Sequence, residues 1–291
     1  MTNRITFDFS GAAVLVTGGT SGIGHAIATA FAVAGAEVTV TGTRGSPDDY
    51  DTDLGRFSYH QVEMTDTASI DALLATIDTL DVLVNNAGAN LPGGRDEWEP
   101  DTFATALLLN LVGPMRLTTG CRHRLAASTM DGGASVVNMA SMSAFRSVPI
   151  VPGYGSAKAG LVALTRNLAR HWVHDGIRVN AVAPGVIDTP MTAPMAQFTE
   201  LLDAELAHTP MGRLGTPKEI VGAVQFLNEL QSGLVDRVAD RRRQHEIPAR
   251  AVAVVGCVEM HDRPPRHAEE LGQLRLDRRE VADDDADVVV G

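Results

Sequence analysis

Features that define several other classes of protein are scarce in this sequence of 291 residues. No apolar run approaches the roughly 18 residues that a membrane-spanning helix needs, so a membrane protein is not expected. The two cysteines, Cys121 and Cys257, are too few and too far apart to indicate a disulfide framework. Residues 1–10 lack the basic start and apolar stretch of a secretory signal. We therefore expect a cytoplasmic protein.

Positive charge is also scarce. The formal net charge is -12 at pH 7, and lysine occurs only as Lys158 and Lys218. A chain of this charge is repelled by the phosphate backbone of nucleic acids. Neither nucleic acid nor a membrane is expected as a partner, and no metal site is predicted.

The composition changes at about Gly233. Residues 1–233 hold 14 Lys and Arg against 23 Asp and Glu, whereas residues 234–291 hold 10 Arg, no Lys, 13 Asp and Glu and no aromatic residue. The overall apolar fraction of 44% suits a compact globular protein. We predict one domain over residues 1–233, followed by an atypical, partly disordered C-terminal tail over residues 234–291.

Strand-like and helix-like segments alternate along the first 233 residues. "AAVLVTG" (12–18) and "DVLVNNAG" (81–88) are short apolar runs that end in glycine, whereas "IGHAIATAFAVAG" repeats its apolar residues at helical spacing. "TASIDALLATIDTL" is a second helix, with Thr67 placed to cap it. This alternation predicts an α/β fold, a doubly wound parallel sheet of Rossmann type with helices on both faces.

A glycine-rich turn joins the first strand to the first helix. In "VTGGTSGIG", Gly18, Gly22 and Gly24 would let the backbone approach a pyrophosphate, which the helix N-terminus attracts. The spacing differs from the G-x-G-x-x-G pattern, and a turn that only packs the helix on the strand would use the same residues. The motif alone leaves both interpretations open.

The second strand ends without an acidic residue. Gly42, Thr43 and Arg44 stand where NAD-binding sites place a carboxylate for the ribose 2′-hydroxyl. Positive charge and a hydroxyl group suit a 2′-phosphate instead. We predict NADP(H) in preference to NAD(H), although Arg44 could also be a solvated loop residue.

Two later positions extend the predicted nucleotide site. Glu63 would lie beside the adenine at the end of the third strand, and "NNAG" (85–88) would line the dinucleotide. Asn85 and Asn86 could equally be turn residues without ligand contact.

"YGSAK" places Tyr154 and Lys158 four residues apart, on one face of a helix. Tyrosine has a pKa of about 10, and proton exchange near neutral pH needs a shift of about three units, or about 4 kcal/mol. An ammonium about 4 Å away at an effective dielectric near 20 supplies energy of that order. Ser141, at the end of the preceding strand, would add a hydroxyl donor. The alternative is an ordinary helix with a half-buried tyrosine and a solvated lysine.

Together these motifs resemble the short-chain dehydrogenases/reductases, and within them the 3-oxoacyl-reductase-like members. The likeness covers roughly residues 8–232 and rests on motifs in the order and spacing of that family: Thr17-Gly18-x-x-x-Gly22-x-Gly24, Asn85-Asn86-Ala87-Gly88, Asn110, Ser141, Tyr154-x-x-x-Lys158 and Pro184-Gly185. The resemblance implies a Rossmann-type fold, a nicotinamide cofactor and a Ser-Tyr-Lys site with a supporting asparagine.

The same resemblance implies a role for each catalytic residue. Tyr154 would be the general acid in carbonyl reduction and the general base in alcohol oxidation. Ser141 would hydrogen-bond the substrate oxygen. Lys158 would lower the pKa of Tyr154 and hold the nicotinamide ribose, and Asn110 would keep a water in a proton relay. A helix-kinking asparagine bonded to backbone is the alternative for Asn110.

The resemblance also implies a set of cofactor-binding residues. They are Gly18, Thr20, Ser21, Gly22, Ile23, Gly24, Thr43, Arg44, Glu63, Asn86, Ala87, Gly88, Tyr154, Lys158, Pro184, Gly185, Ile187 and Thr189. The predicted function is hydride transfer between a nicotinamide cofactor and a carbonyl or secondary alcohol. The alternatives are a catalytically weak NAD(P)-binding regulator or scaffold of the same fold, and a structural oligomer without nucleotide.

The substrate and the assembly are less well defined. Residues 185–217 lie where the family places a mobile lid, and their apolar side chains favour a small-molecule substrate with an apolar part, although helix packing explains them equally well. These side chains are Met191, Met195, Phe198, Leu201 and Leu202. The family's common pairing implies a homodimer through residues 107–117 and 161–168, and a tetramer is left open.

The tail lacks the pattern that ends the family's domain. Members continue with a segment like T-G-Q, an apolar strand and V-D-G-G, none of which follows Gly233. One explanation is a frame shift in the coding sequence, since a shifted frame with CGN arginine codons allows "WSTGSQTVAV". The other is a genuine extension in which "ARAVAVVGCV" (249–258) supplies the last strand. Either way, residues 259–291 are expected to be poorly ordered and without a catalytic role.

Overall fold

The computed structural model describes residues 6–91, 94–197, 199–207, 209, 211–228 and 254–256. The strands are β1 (Ala13–Val16), β2 (Glu37–Gly42), β3 (Ser58–Gln61), β4 (Val82–Asn85), β5 (Ser135–Met139), β6 (Arg178–Ala183) and β7 (Val254–Gly256). The helices are α1 (Gly22–Val33), α2 (Thr67–Thr76), α3 (Pro100–Leu107), α4 (Gly113–Ala126), α5 (Pro152–His171), α6 (Thr199–Ala207) and α7 (Pro217–Asn228). A π-helical segment, Leu108–Val112, joins α3 to α4.

Within the described residues, seven parallel strands form one sheet in the order β3-β2-β1-β4-β5-β6-β7. The chain therefore starts in the middle of the sheet, builds outward to β3 and then returns past β1 to build the other half. In such sheets a crevice forms at the carboxyl ends of the strands where the order reverses, here between β1 and β4. The predicted doubly wound parallel sheet is confirmed.

The core lies in two layers, one on each face of the sheet. Successive side chains of a strand point to opposite faces, so Val14 and Val16 of β1 pack with α1 and α7, while Leu15 packs with α2, α4 and α5. Because both faces are covered, the central strands are apolar almost throughout rather than alternating.

The helix ends follow local chemistry. Asp66, not the predicted Thr67, caps α2, because its carboxylate accepts the backbone N–H of Ala68 at 2.9 Å. An aspartate one residue earlier outcompetes threonine at this position because its side chain reaches the exposed N–H groups of the first turn.

Two side chains clamp the amino edge of the sheet. The Asp81 carboxylate accepts the backbone N–H of Ala13, at the start of β1, at 2.8 Å. Arg178, at the start of β6, is 4% exposed and its Nη2 donates to the Asn228 carbonyl at 3.0 Å. That carbonyl ends α7, where backbone acceptors lack helical partners and a cation is favourable.

The last strand comes from beyond Gly233. Val254–Gly256 pairs in parallel with β6, with Ala181 opposite Val254 and Ala183 opposite Gly256. This strand falls inside residues 249–258, the segment that would supply it if the tail is a genuine extension. The proposed domain boundary stays a prediction, and the expected poor order of residues 259–291 concerns residues outside those described. None of the helices in the described ranges has the length and apolar character of a membrane span.

Candidate active site

A cleft of about 330 Å³ opens at the carboxyl ends of the central strands. Sixteen of the predicted site residues line it: Gly18, Thr20, Ser21, Gly22, Ile23, Gly24, Asn86, Ala87, Gly88, Ser141, Tyr154, Lys158, Pro184, Gly185, Ile187 and Thr189. They follow four different strands, and the parallel sheet brings them together. The remaining predicted residues, Thr43, Arg44, Glu63 and Asn110, lie outside this lining.

The glycine-rich turn is compact enough to require glycine. Gly18 and Gly22 have φ angles of 62° and 53°, in the left-handed region. A Cβ on Gly24 would lie 2.2 Å from the Gly18 carbonyl oxygen and 2.4 Å from Asn86 Nδ2. Packing alone therefore explains part of the motif. The same turn places the N-terminus of α1 at the cleft, where its unpaired N–H groups suit a pyrophosphate.

The "NNAG" turn is bonded to the glycine-rich turn. Thr17 Oγ1 accepts the backbone N–H groups of Asn86 and Ala87, each at 3.0 Å. Asn86 Nδ2 donates to the carbonyls of Thr17 and Gly18, also at 3.0 Å. Asn86 thus fixes the shape of the cleft wall while lining it.

Asn85 has a different role from its neighbour. Its side chain is buried and Nδ2 donates to Thr118 Oγ1 at 2.7 Å and to Asn138 Oδ1 at 2.8 Å. These contacts join β4 to α4 and β5 inside the core. Of the two asparagines, Asn85 is the structural one.

Arg44 lies on an exposed loop after β2 and is held there by an aromatic ring. Its guanidinium carbon is 4.8 Å from the centre of the Tyr50 ring, and its backbone N–H donates to the Tyr50 hydroxyl at 2.9 Å. A guanidinium over an aromatic ring is stabilised electrostatically. These contacts order Arg44 at the end of β2. Tyr50 also packs closely on Gly42, since a Cβ on Gly42 would lie 2.3 Å from the Tyr50 hydroxyl.

Glu63 is exposed just after β3. Its Oε1 accepts the Thr65 hydroxyl at 3.0 Å and the Thr65 backbone N–H at 3.3 Å. The carboxylate therefore shapes its own loop, and a contact with adenine stays a prediction.

Ser141, Tyr154 and Lys158 meet at one end of the cleft. Ser141 follows β5 and accepts the Ser143 backbone N–H at 3.2 Å, while Tyr154 and Lys158 stand on the first two turns of α5. Lys158 Nζ lies 5.4 Å from the centre of the Tyr154 ring and donates to the Met139 carbonyl at 2.7 Å. The ammonium is fully within the protein and has a fixed position.

Burial dominates the protonation of this group of side chains. Burial raises the pKa of Tyr154; a hydrogen bond from Ser141 opposes this shift and the negative charge of Glu97 adds to it. Burial lowers the pKa of Lys158 to about 8. Lys158 Nζ donates to the Met139 carbonyl and lies over the Tyr154 ring. The lowering of the Tyr154 pKa by Lys158 stays a prediction.

Asn110 sits in the π-helical segment and is completely buried. Its Nδ2 donates to the carbonyls of Ala89 at 2.8 Å and Ala106 at 3.0 Å. These bonds are the ones expected if Asn110 is an asparagine that bonds to backbone and kinks the helix. Its Oδ1 has no hydrogen-bond partner among the described residues. A Cβ on Gly88 would lie 2.5 Å from that oxygen and 3.4 Å from Lys158 Nζ, so the two atoms border the same space. The geometry fits a water between them.

Glu97 is a part of the site that the sequence did not reveal. It is fully buried, and its Oε1 accepts the Leu91 backbone N–H at 2.7 Å while Oε2 accepts the Tyr154 backbone N–H at 2.8 Å. In "GGRDEWEPD" it stands between Asp96 and Glu99, both exposed. No pattern in that polar segment distinguishes it from them.

One part of the cleft lining is mostly apolar. It includes Met142, Val148, Ile150, Met191 and Met195, together with Arg146. The two predicted lid methionines therefore do border the cleft, whereas Phe198 lies outside the described residues. Arg146 and Lys158 are the charged residues of the lining within the described part of the chain.

The comparisons with known proteins agree with this geometry. Residues 18–236 match the sequence profile of the family described as enoyl-(acyl carrier protein) reductase. The chain belongs to the short-chain dehydrogenase/reductase family. A 3α-hydroxysteroid dehydrogenase of Mediterraneibacter gnavus is 32% identical over 226 residues, which cover 73% of this chain and 88% of that protein.

Two further members extend the comparison. A galactitol 2-dehydrogenase (L-tagatose-forming) of Cereibacter sphaeroides is 32% identical over 235 residues, covering 78% of this chain and 91% of that protein. A solved structure from Agrobacterium tumefaciens, provisionally assigned as a 2-deoxy-D-gluconate 3-dehydrogenase with bound NADP, superposes with a TM-score of 0.68 at 32% identity. That match covers 79% of this chain and 93% of the other.

These short-chain dehydrogenase/reductase relatives settle the general class of activity. The protein is a nicotinamide-dependent oxidoreductase that interconverts carbonyl and alcohol groups. The alternative of an inactive regulator or scaffold is not favoured.

Proposed function

We propose that the protein uses NADP(H) in preference to NAD(H), with Tyr154 as the general acid and base. The observation that carries this proposal is the convergence of Ser141, Tyr154 and Lys158 on the cleft that the glycine-rich turn borders. When bound, the nicotinamide supplies or accepts the hydride. The side chains of the protein bind the reacting oxygen and move its proton.

In carbonyl reduction, negative charge develops on the substrate oxygen. Ser141 Oγ stabilises that charge by donating a hydrogen bond, and the Tyr154 hydroxyl transfers its proton to the oxygen. The resulting tyrosinate gains from the nearby Lys158 ammonium. In alcohol oxidation the proton moves in the opposite direction.

The proton lost by Tyr154 must be replaced from solvent. Asn110 Oδ1 and Lys158 Nζ border the space beside Gly88, and a water held between them would connect the ammonium to a proton source. Lys158, whose pKa burial lowers to about 8, can exchange a proton close to neutral pH.

Arg44 supports the preference for NADP(H). It is ordered over Tyr50 at the end of β2, a position where positive charge suits a 2′-phosphate and a carboxylate is lacking. The related structure from Agrobacterium tumefaciens contains bound NADP, which supports this preference.

The apolar side of the cleft favours a substrate with an apolar part next to its carbonyl or hydroxyl group. Met142 and Met191 give that side an adaptable surface, because the methionine side chain is flexible and polarisable. Arg146 contributes positive charge to the same lining. A useful substrate panel therefore includes matched neutral and acidic members.

The experiment is a titration of the protein with NADPH and NADH followed by cofactor fluorescence, combined with turnover assays on a panel of ketones, aldehydes and secondary alcohols. We expect tighter binding of NADPH than NADH and turnover of at least one apolar carbonyl compound. Nucleotide binding without turnover across the panel would instead support the regulator or scaffold. Failure to bind either nucleotide would support a structural oligomer.

We also propose that the protein works as a cytoplasmic homodimer with no nucleic-acid or membrane partner. The net charge of -12 supports the lack of a nucleic-acid partner. The pairing proposed is through residues 107–117 and 161–168.

A further inference from the structure

Glu97 is unusual among the acidic residues of the described chain. Its neighbours Arg95, Asp96, Trp98 and Glu99 are all exposed, yet Glu97 itself is 0% exposed. A buried carboxylate is costly unless strong hydrogen bonds compensate for its lost hydration. The contacts that offset this cost indicate what the residue does.

One carboxylate oxygen of Glu97 accepts a hydrogen bond at the N-terminus of α5, the helix that carries Tyr154 and Lys158. Tyr154 is the third residue of α5, and its backbone N–H is among those that have no partner within the helix. The residue before the helix, Val151, offers no side-chain cap, and Pro152 has no N–H to donate. Glu97 Oε2 takes the place of a cap by accepting the Tyr154 N–H at 2.8 Å. A negative charge at a helix N-terminus is favourable.

The fit around this contact requires glycine. A Cβ on Gly153 would lie 3.2 Å from Glu97 Oε2 and 2.9 Å from the Ala106 Cβ. The absence of a side chain at Gly153 lets the carboxylate come close to the first turn of α5.

The other carboxylate oxygen acts on the loop after β4. Oε1 accepts the backbone N–H of Leu91 at 2.7 Å. Leu91 has a φ of 42°, the left-handed region that a leucine rarely adopts. The preceding residues of this loop border the site: Asn90 lines the cleft, and the Ala89 carbonyl accepts Asn110 Nδ2. Glu97 therefore links two parts of the site. One is the loop whose Ala89 carbonyl accepts Asn110 Nδ2, and the other is the helix that carries Tyr154.

We propose that Glu97 is a positioning residue, whose buried carboxylate fixes the first turn of α5 against the loop after β4 and so sets the place of Tyr154 relative to Ser141 and Lys158. The inference rests on the proposed function of Tyr154. It assigns no contact between Glu97 and substrate or cofactor.

The charge of Glu97 has a second effect. Lys158 lies over the Tyr154 ring, Ser141 bonds to Tyr154 from the end of β5, and Glu97 reaches its backbone from the loop, while Arg146 lines the same cleft. Of these, Glu97 brings negative charge, which disfavours tyrosinate. Removal of this charge should therefore lower the pKa of Tyr154, whereas loss of packing alone would not.

The test compares Glu97→Gln, which keeps the size but removes the charge and replaces one accepting oxygen by an NH2 donor, with Glu97→Asp, which keeps the charge and both oxygens and shortens the reach. Glu99→Gln is the matched control, because Glu99 is exposed in the same segment. We expect kcat to fall by about tenfold to a hundredfold in both Glu97 variants, since a misplaced catalytic group costs that much. The Kd for NADPH should stay within a few-fold of its normal value. Glu99→Gln should behave as the unmodified protein.

The pH profile separates positioning from simple destabilisation. In alcohol oxidation Tyr154 must be deprotonated, so the acidic limb of the profile should move to lower pH in Glu97→Gln and stay in place in Glu97→Asp. An independent readout is the absorbance of tyrosinate during a pH titration, with Tyr154→Phe identifying the signal among the three tyrosines. Thermal unfolding gives the folded fraction of each variant.

Full activity in Glu97→Asp, or in Glu97→Gln with an unchanged tyrosinate titration, would overturn the proposal. So would activity that falls only in proportion to the folded fraction, with no movement of the pH limb. If Glu97→Gln does not fold, Glu97→Asp still decides, because the proposal requires it to lose kcat without a pH shift. If the unmodified protein turns over no substrate, the proposed function fails, while the tyrosinate titration still tests whether Glu97 acts on Tyr154.

Discussion

At the scale of single residues, the site is built to control one proton. Tyr154 is half-buried in the cleft beside Ser141, and Lys158 lies over its ring. Burial raises the pKa of Tyr154 and so favours the protonated phenol, the form that carbonyl reduction requires. Each atom of this arrangement can be tested by a substitution that removes little else.

Tyr154→Phe removes only the hydroxyl that carries the proton. We expect kcat for carbonyl reduction to fall by about a hundredfold to ten-thousandfold, the usual contribution of general acid catalysis. NADPH affinity, measured by cofactor fluorescence, should change by no more than a few-fold. Near-normal turnover in this variant would remove Tyr154 from its assigned role.

Arg44→Ala tests the preference for NADP(H). Loss of a charged hydrogen-bonding partner of the 2′-phosphate should weaken NADPH binding by about tenfold or more, and should leave NADH binding unchanged. Arg170→Ala, which removes an exposed arginine near the end of α5, controls for the loss of general positive charge. Equal weakening of both cofactors in Arg44→Ala would show that Arg44 does not recognise the phosphate.

The residues that could be predicted from sequence are those fixed by local geometry. A helix places Tyr154 and Lys158 on one face, and the end of a strand places Ser141 at the carboxyl edge of the sheet. Glu97 could not be predicted, since its role depends on a contact with Tyr154 across 57 positions of the chain. Likewise, the bond from Lys158 to the Met139 carbonyl depends on how closely α5 packs on β5.

At the scale of elements, two segments depart from regular geometry: the glycine-rich turn after β1 and the helical segment between α3 and α4. Between α3 and α4 the helix is interrupted by the π-helical segment Leu108–Val112. Two local causes are present. Pro114 cannot donate to the Asn110 carbonyl four residues earlier, and the Asn110 side chain itself bonds the Ala106 carbonyl. The interruption presents Asn110 to the site.

Gly24→Ala tests whether the turn serves the cofactor or only the packing of α1. The added Cβ would meet the Gly18 carbonyl at 2.2 Å, so the turn must move. We expect NADPH affinity to fall by at least about tenfold, because the displaced N–H groups no longer meet the pyrophosphate. Fluorescence titration and thermal unfolding measure the two effects separately.

Gly222→Ala is the matched control for that experiment. Gly222 lies within α7 and a Cβ there would meet no atom within 4 Å. Alanine should stabilise this helix by about 0.5–1 kcal/mol and leave cofactor binding unchanged. If Gly24→Ala lowers stability without weakening NADPH, the turn serves packing alone.

At the scale of the whole molecule, the alternation of strands and helices was sufficient to predict the doubly wound sheet. The two-layer core follows from it, because strands covered on both faces must be apolar throughout. For the last strand the sequence left two explanations open, and Val254–Gly256 falls inside residues 249–258, the segment that one of them names. Strand pairing at the edge of a sheet depends on the neighbouring strand as much as on the segment itself.

The outer surface also supports the predicted homodimer. Leu108, Val112 and Met115 are 43%, 44% and 42% exposed and are spaced to share one helical face. We expect the protein to be a dimer at micromolar concentration by light scattering, and Val112→Glu to shift it toward the monomer. Val33→Glu places the same charge at an exposed valine on α1 and should leave the mass unchanged. A monomeric unmodified protein would contradict the prediction.

The clamps at the amino edge of the sheet have a consequence for evolution. Asp81 and Arg178 hold strand and helix ends together on the side of the sheet opposite the cleft, and neither residue lines the cleft. Substitutions at cleft residues such as Ile150 or Met191 should therefore leave the hydrogen bonds of Asp81 and Arg178 in place. Substrate specificity can then change during evolution while the sheet and its clamps stay the same. A mutagenesis library confined to the cleft residues should likewise retain the fold.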